Sequence, residues 1–332
     1  MSGERALLAR LMQGPATGDA LALAAGQTRA AVWKRVQGLR DAGIAIDAAS
    51  GRGYALAGPV DLLDCDAIRT ALPVSVQGRI AALEVDWSVD STNSVLLRAP
   101  ARADDRMVVL MAERQTAARG RRGRTWVSPL AAHLSVSAAR GFSGGLARLG
   151  GLSLVAGVAT VEALHQLGCV SARLKWPNDL VIVDGQGLRK LGGLLVEGAG
   201  EHAGPARAVV GLGLNVRMPD AASAAIDQPW TDLARLMTPA PARNALAAAL
   251  IAGWVEAFDR FDADGLAPFL PRYADIDALA SRAVTVHAPQ GAFDGVASGI
   301  GEDGALRVRM ADGAERTVHA GEVSVRLGSA AS

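Results

Sequence analysis

Cysteine is almost missing from this chain: two residues, Cys65 and Cys169, lie far apart in 332. That excludes a disulfide scaffold and a cysteine-built zinc site, and it fits a reducing cytoplasm. Net charge is almost missing too. Lys+Arg number 34 and Asp+Glu 33, leaving +1, so no global field selects nucleic acid, membrane or acidic substrates. The opening Met-Ser-Gly-Glu-Arg-Ala-Leu has no apolar signal core. The most apolar helical stretch, Leu152 to Leu164, is too short to cross a bilayer and contains Glu162. A cytoplasmic protein is expected. His133, His165, His202, His287 and His319 are scattered without metal-ligand spacing. There is no Walker A sequence, no complete dinucleotide fingerprint and no internal repeat. Lysine is scarce as well: only Lys34, Lys175 and Lys190 interrupt a strong bias to arginine.

What is present is a chain of two or three domains, half apolar and one-fifth charged, with ample material for a core. Residues 1–58 carry seven basic and four acidic residues, +3, and the other 274 carry 27 and 29, −2. Ala6, Leu7, Leu8 and Leu11 have helical spacing over residues 4–13. A short helix, Ala20 to Ala25, stops at Gly26, and Thr28 caps a second helix from Arg29 to Asp41. Ile44 to Ile46, a turn at Ala49-Ser50-Gly51, and Gly53 to Leu56 read as a two-stranded wing. Helix, tight turn, helix and wing predict a DNA-binding module of residues 1–58, with Thr28, Arg29, Lys34 and Arg35 facing DNA. A merely solvated basic helix face is the alternative.

Gly58-Pro59 marks a boundary, and residues 59–80 are expected as a linker with one short helix. Residues 81–275 mix strands (107–112, 134–137, 180–183, 191–197, 208–216) with helices at Gly145–Gly168, Arg243–Phe261 and Leu266–Tyr273. Residues 276–328 change character. Short strands at 283–287, 295–299, 306–310, 316–318 and 323–326 alternate with turns at Gln290-Gly291, Glu302-Asp303-Gly304 and Asp312-Gly313. That spacing predicts a small β-barrel.

Three segments carry the chemistry. From Arg114 to Arg124, five arginines fall within eleven residues and are spaced by glycine. Self-repulsion leaves such a loop poorly ordered until an anion draws guanidinium forks and backbone N–H groups around it. Trp126 adds a flat face for a base. A phosphate ligand, a nucleic acid, or no ligand at all are the three readings of this loop. Lys175-Trp176-Pro177-Asn178-Asp179-Leu180 is a tight connection between strands, and its carboxylate is a candidate Mg²⁺ ligand beside a nucleotide; a plain Asn-Asp turn is the alternative. Lys190-Leu191-Gly192-Gly193 leads a lysine into a buried strand, and Gly211-Leu212-Gly213-Leu214-Asn215 repeats the glycine theme, which marks close approach of a ligand. Gly141-Phe142-Ser143-Gly144-Gly145 matches the hydrolase G-x-S-x-G pattern. It reads as a loose turn, separated from its strand by Ala138-Ala139-Arg140.

Taken together, these segments with Asp90-Ser91-Thr92-Asn93 resemble the bifunctional biotin–protein ligase and biotin operon repressor family of bacteria. The resemblance runs in order through essentially the whole chain. It implies an α+β protein: an N-terminal winged helix-turn-helix, a central class II synthetase-like mixed sheet with helices, and a C-terminal SH3-like β-barrel. It implies that biotin and MgATP give biotinyl-5′-AMP, whose acyl group passes to a lysine of a biotin carboxyl carrier protein. By match to the motifs, Ser91, Thr92, Asn93 and Gln115 hold biotin, and Arg119, Gly120 and Arg121 close over the intermediate. Trp126 packs near adenine, and Lys190 contacts the biotin carboxyl or phosphate. Asn178 and Asp179 serve the nucleotide and metal. Gly193, Gly211 and Gly213 line the pocket, and Asn215 lies near the nucleotide. Catalysis falls to Lys190, Arg121, Asp179 and Lys175. Operator DNA and a homodimer formed with biotinyl-AMP are the further partners implied. The chain departs from the family at Ala118, where glycine is usual, and carries a bulky Trp33 on its recognition helix. A ligase with a non-regulatory N-terminal domain, a biotin sensor without ligase activity and a lipoate-type ligase are the competing readings.

Overall fold

The computed structural model describes residues 3–49, 53–185, 187–200, 206–289, 291–321 and 324–327. The chain opens with α1 (Gly3–Met12), α2 (Gly18–Ala25) and α3 (Arg29–Asp41), then a hairpin of β1 (Ile46–Ala49) and β2 (Gly53–Leu56). These elements form where the sequence places them because their punctuation is local. Thr17 and Thr28 each accept an amide hydrogen bond in the first helical turn, from Ala20 N and Ala31 N, and Gly26 ends α2 at φ 59°. The first wing strand starts at Ile46 rather than Ile44. Of the expected wing turn, Ser50 and Gly51 lie outside the described residues. Leu8, Leu21, Val32, Val36 and Leu39 close a small core, joined by Leu130 from far along the chain. Leu130 N also donates to Ala42 O at 2.8 Å.

Residues 59–80 are not a spacer. They hold two short helices, α4 (Cys65–Ala71) and α5 (Val74–Gln77), and Leu63, Ile68, Leu72 and Val76 are buried in the central core. The burial of four apolar side chains outweighs the weak helical pattern of so short a stretch.

The central unit comprises β3 (Ile80–Val89), α6 (Thr92–Arg98), β4 (Met107–Gln115), β5 (His133–Phe142), α7 (Leu152–Gln166), β6 (Ala172–Lys175), β7 (Asp179–Asp184), β8 (Gly187–Gly200), β9 (Ala206–Asn215), α8 (Leu233–Leu236), α9 (Arg243–Asp264) and α10 (Leu270–Ala274). Seven strands form one mixed sheet in the order β3-β4-β5-β9-β8-β7-β6, with β3 and β4 parallel and all other pairs antiparallel. Alternation along the strands separates two faces. Val109, Met111, Val136, Ala138, Val210 and Leu212 share the main core with α7 and α9, whereas Leu110, Ala139 and Val209 pack with Leu96 of α6. α7 is buried nearly all round, so its apolar character belongs to a core helix. The expected helix from Gly145 to Gly168 is interrupted: a 3₁₀ turn, Leu146–Leu149, precedes Gly151 at φ 85°, a conformation that ends one helix before the next begins. β5 is longer than expected and runs through Ala138-Ala139-Arg140 to Phe142. Ser143 therefore follows the strand directly, but its hydroxyl donates to Asp262 Oδ1 at 2.8 Å and serves the loop, not a hydrolase triad.

One buried network ties this unit together. Arg243 Nη1 donates to Glu113 Oε2 at 2.7 Å and to Asp61 O at 2.6 Å, and Arg243 Nη2 to His133 O at 2.7 Å. The other oxygen of Glu113 accepts from Leu63 N at 2.6 Å. His133 is fully buried with Nε2 2.8 Å from Ser128 Oγ; burial, then the Arg243 cation, pushes its pKa down to about 3. An unfolded imidazole titrates near 6.5. The unfolded chain thus takes up a proton that the folded chain refuses. Stability is full above pH ~6.5 and falls by about 1.4 kcal/mol per pH unit between ~6.5 and ~3. Denaturant unfolding at pH 7 and pH 5 should show that loss, and His133→Asn should flatten it. A variant with the wild-type slope would remove His133 from the account.

The C-terminal strands β10 (Ala283–Ala288), β11 (Gly291–Ile300), β12 (Leu306–Arg309), β13 (Glu315–Val318) and β14 (Ser324–Leu327) form an antiparallel sheet in the order β13-β12-β11-β10-β14. Gln290 and Val323 from the expected turn and strand lie outside the described residues. Val284, Val286, Leu306 and Val308 continue the central core. The indole N–H of buried Trp176 donates to Gly304 O at 2.9 Å, docking the Lys175–Asp179 connection onto this sheet.

Candidate active site

The sheet register assembles the floor of the site from small residues. Asp179 pairs with Gly193, Gly193 with Gly213, and Gly213 with Ser135; in the next row Leu195 pairs with Gly211, and Gly211 with Ser137. Paired residues share a face, so Gly193, Gly213, Ser135, Gly211 and Ser137 form one shallow surface on the side of α6.

Ser91, Thr92 and Asn93 stand over this surface at the start of α6, all buried. Ser91 Oγ caps the helix by accepting from Ser94 N at 3.4 Å. Gln115 Oε1 accepts from Thr92 N at 2.8 Å while its Nε2 donates to Ser135 Oγ at 2.8 Å. Ser137 Oγ lies 2.7 Å from Thr92 Oγ1 and donates to Asn93 Oδ1 at 2.6 Å. Asn93 Nδ2 donates to Glu197 Oε2 at 2.8 Å. A Cβ at Gly211 would stand 2.1 Å from Asn93 Oδ1, which explains the glycine by close approach alone. Ser135, Ser137 and Glu197 were missed in the sequence, although alternating serines in an otherwise apolar strand were a visible signal.

The arginine loop folds back on itself. Gly120 N donates to Arg124 O at 2.7 Å, Trp126 N to Ala118 O at 3.0 Å, and Arg119 bridges to Thr125. Ala118 is buried and is not among the residues with positive φ, so its Cβ is tolerated; the left-handed positions of the loop are Arg122, at φ 59°, and Gly123, at φ 70°. Arg119 Nη2 donates to Ser94 Oγ at 2.8 Å and lies 3.6 Å from Glu197 Oε1. Arg121 reaches Asn178 Oδ1 at 3.3 Å and Gly321 O at 2.9 Å. Asn178 in turn donates to Leu194 O at 2.6 Å, so it braces the connection.

Two of the three lysines converge on one carboxylate. Lys190 Nζ is 2.7 Å from Asp179 Oδ1, and Lys175 Nζ is 4.0 Å from Asp179 Oδ2. Burial pushes the Lys175 ammonium below its usual range; Asp179 opposes this, and the Lys190 cation adds to it. With the half-buried Arg121 close by, three cations face one anion, a centre that a phosphate or carboxylate ligand would neutralise. Trp126 packs against Gly213, where a Cβ would stand 2.7 Å from its ring, and Lys190 Nζ is 5.6 Å from the ring centroid. Beside it opens a cleft lined by Trp126, Lys190, Asn215, Ile226 and Trp230. The Trp126 indole N–H is buried there without a partner. The orphan donor, the aromatic walls and the nearby cations suit a nucleotide base with its phosphate. Ile226 and Trp230 were not foreseen, because the segment that carries them has no periodic pattern.

On the winged module, Thr28 is the cap of α3 and Lys34 is exposed, while Arg29 Nε lies 3.3 Å from Asp19. Arg35 does not face outward. Its guanidinium packs where a Cβ on Gly3 would stand, within 2.6 Å, because α1 crosses α3 at that point.

Three family models match the chain in order: an HTH domain over residues 4–55, the biotin/lipoate A/B protein ligase family over 87–215, and the biotin protein ligase C-terminal domain over 282–326. Fold and site thus define a protein ligase of the biotin/lipoate type that carries a helix-turn-helix domain. The bifunctional ligase/repressor BirA of Salmonella typhimurium (strain LT2) is 38% identical over 312 residues, 93% of each chain. That of Escherichia coli (strain K12) is 37% identical over 316 residues, 93% of this chain and 92% of that one. The chain belongs to this family of bifunctional biotin ligase/repressors. The solved biotin protein ligase from Aquifex aeolicus in complex with biotin and ATP shares its fold, with a TM-score of 0.63 at 24% identity over 75% of this chain and 100% of that one.

Proposed function

We propose that this chain activates biotin with ATP and transfers it to a lysine of a biotin carboxyl carrier protein, and that it represses transcription in response to the activated biotin. The observation that carries the reading is the continuity of the site: the Ser/Gly cradle at Ser91–Asn93, the Lys190–Asp179–Lys175 centre and the Trp126 cleft follow one another across the sheet. Biotin held in the cradle presents its carboxylate to Lys190. Its oxygen attacks the α-phosphorus of ATP, and the bond to pyrophosphate breaks. Two anions must meet for this step, and Lys190, Lys175 and Arg121 offset their repulsion. The acceptor amine then attacks the acyl carbon, AMP leaves, and the amine loses a proton. Arg119, Gly120 and Arg121 shield the mixed anhydride from water.

Magnesium enters as the MgATP complex. Among the described residues no group of three or more His, Cys, Asp or Glu is gathered, and Asp179 already pairs with Lys190. A single carboxylate together with nucleotide phosphates matches the way Mg²⁺ is usually held. The C-terminal sheet is read as an SH3-like barrel, the protein as cytoplasmic, and the repressing form as a homodimer stabilised by biotinyl-AMP, which would align two winged helices on paired half-sites.

The test combines labelled biotin, MgATP and a purified biotin carrier domain, with label on the carrier as the readout. Transfer is expected; absence of both transfer and biotinyl-AMP, with lipoate accepted instead, would overturn the substrate. For repression, biotinyl-AMP should raise DNA affinity in mobility-shift titrations, and unchanged affinity would overturn that half.

A further inference from the structure

The helix-turn-helix leaves three large apolar side chains uncovered, Met12 on α1, Leu23 on α2 and Trp33 on α3, and of these Trp33 lies on the second helix of the motif. α3 buries Val32, Val36 and Leu39. By the 3.6-residue period, its opposite side is made of Ala30, Trp33, Lys34 and Gln37. Trp33 is 57% exposed, and Ala30 and Lys34 are exposed beside it. The neighbouring arginines are drawn elsewhere. Arg35 packs on α1, Arg40 donates twice to Ile46 O at 2.6 and 3.0 Å, and Arg29 leans to Asp19. The outer face of α3 is therefore an indole and one lysine flanked by Ala30 and Gln37, with the exposed Arg29 at the start of the helix.

We propose that Trp33 is a base-reading residue: its indole enters the major groove and packs on the C5-methyl of a thymine at one fixed position in each half-site. The proposal rests on the DNA-binding reading of this module and specifies what the module recognises. Residues near the N-terminus of the second helix meet base edges when such a module docks, and Trp33 is the fifth residue of α3. The thymine methyl is the apolar feature of the major-groove edge, and an indole offers it a flat apolar face with a single N–H donor. Ala30, one turn earlier, is small enough to let the helix approach the bases. Lys34 beside the indole supplies a phosphate contact, which adds affinity without sequence information.

The experiment uses the full chain with biotin and MgATP and a library of randomised duplexes at one salt concentration. The preferred site is then rebuilt with deoxyuridine replacing each thymine in turn. One thymine per half-site should lose about fourfold in affinity with its methyl, the fold-change for burying one such group. Trp33→Ala should keep its biotin-transfer activity, bind that site more weakly and become indifferent to the same replacement. Lys34→Ala should weaken every site alike and keep the methyl dependence. If Trp33→Ala selects the same sequence with the same methyl dependence, the proposal is overturned. A changed monomer–dimer equilibrium with an unchanged selected sequence would place the indole in a protein contact and overturn it as well. If the wild-type chain enriches no sequence, the DNA-binding reading itself fails and takes the proposal with it.

Discussion

Lys190→Ala lowers biotinyl-AMP formation by roughly 10²–10³-fold, the usual effect of removing one preorganised donor from a site of developing negative charge. The position is specific. Lys190 holds Asp179 at 2.7 Å, lies next to Gly193 and faces the Trp126 ring, so its ammonium stands between the cradle and the Trp126 cleft. Removing it leaves Asp179 with Lys175 at 4.0 Å, and the carboxylate then repels both reacting anions. Lys190→Arg should not restore the rate, because a planar fork does not fit where a compact point charge lies between oxyanions. The fold should persist, since the lysine side chain is not part of the apolar core. Biotin-dependent pyrophosphate release is the measurement, with circular dichroism as the control. Wild-type release from a folded Lys190→Ala would remove the lysine from the mechanism.

Glu113→Ala has the largest expected effect on stability. Arg243 is 2% exposed and Glu113 is fully buried, so deleting one partner strands a buried charge at a cost of about 3–5 kcal/mol. For a domain of this size that corresponds to a fall in thermal midpoint on the order of 10 °C. The same change frees Leu63 N, which donates to Glu113 Oε1 at 2.6 Å, and loosens the start of α9. The pair Glu113→Leu with Arg243→Met should recover much of the loss, because no unpaired charge remains. If the single variant melts with the wild type, the network does not hold the 59–64 segment in place. Glu113 also lies two residues before Gln115, so the single variant should raise the KM for biotin more than it lowers kcat.

The helix-turn-helix was legible almost to the residue. Thr17, Gly26 and Thr28 act on their own turns, and no distant contact is needed to place them. The strands rich in β-branched residues were legible for a similar reason, as was the concentration of charge at 114–124 and at the three lysines. Elsewhere local pattern misled. Residues 59–80 looked like a linker because four buried apolar side chains spread over two short helices make no strong period; only packing against the central core shows what they do. Arg35 looked like a DNA contact because charge at helical spacing does not reveal which face a neighbouring helix covers.

The sequence by itself determined the order of the three regions, the caps and turns, and the residue types gathered at the site. Tertiary structure alone decided which of them meet. Pairing of β5, β9 and β8 sets Ser135, Gly213 and Gly193 in one row, and places Ser137 and Gly211 under Asn93. Glu197, 104 residues from Asn93 in sequence, lies 2.8 Å from it in space. The physical reason is range. Caps and turns are settled by hydrogen bonds between residues a few positions apart, whereas strand register is settled by burial of a whole sheet face, and a shift of one residue would turn every glycine and serine of the site to the other side.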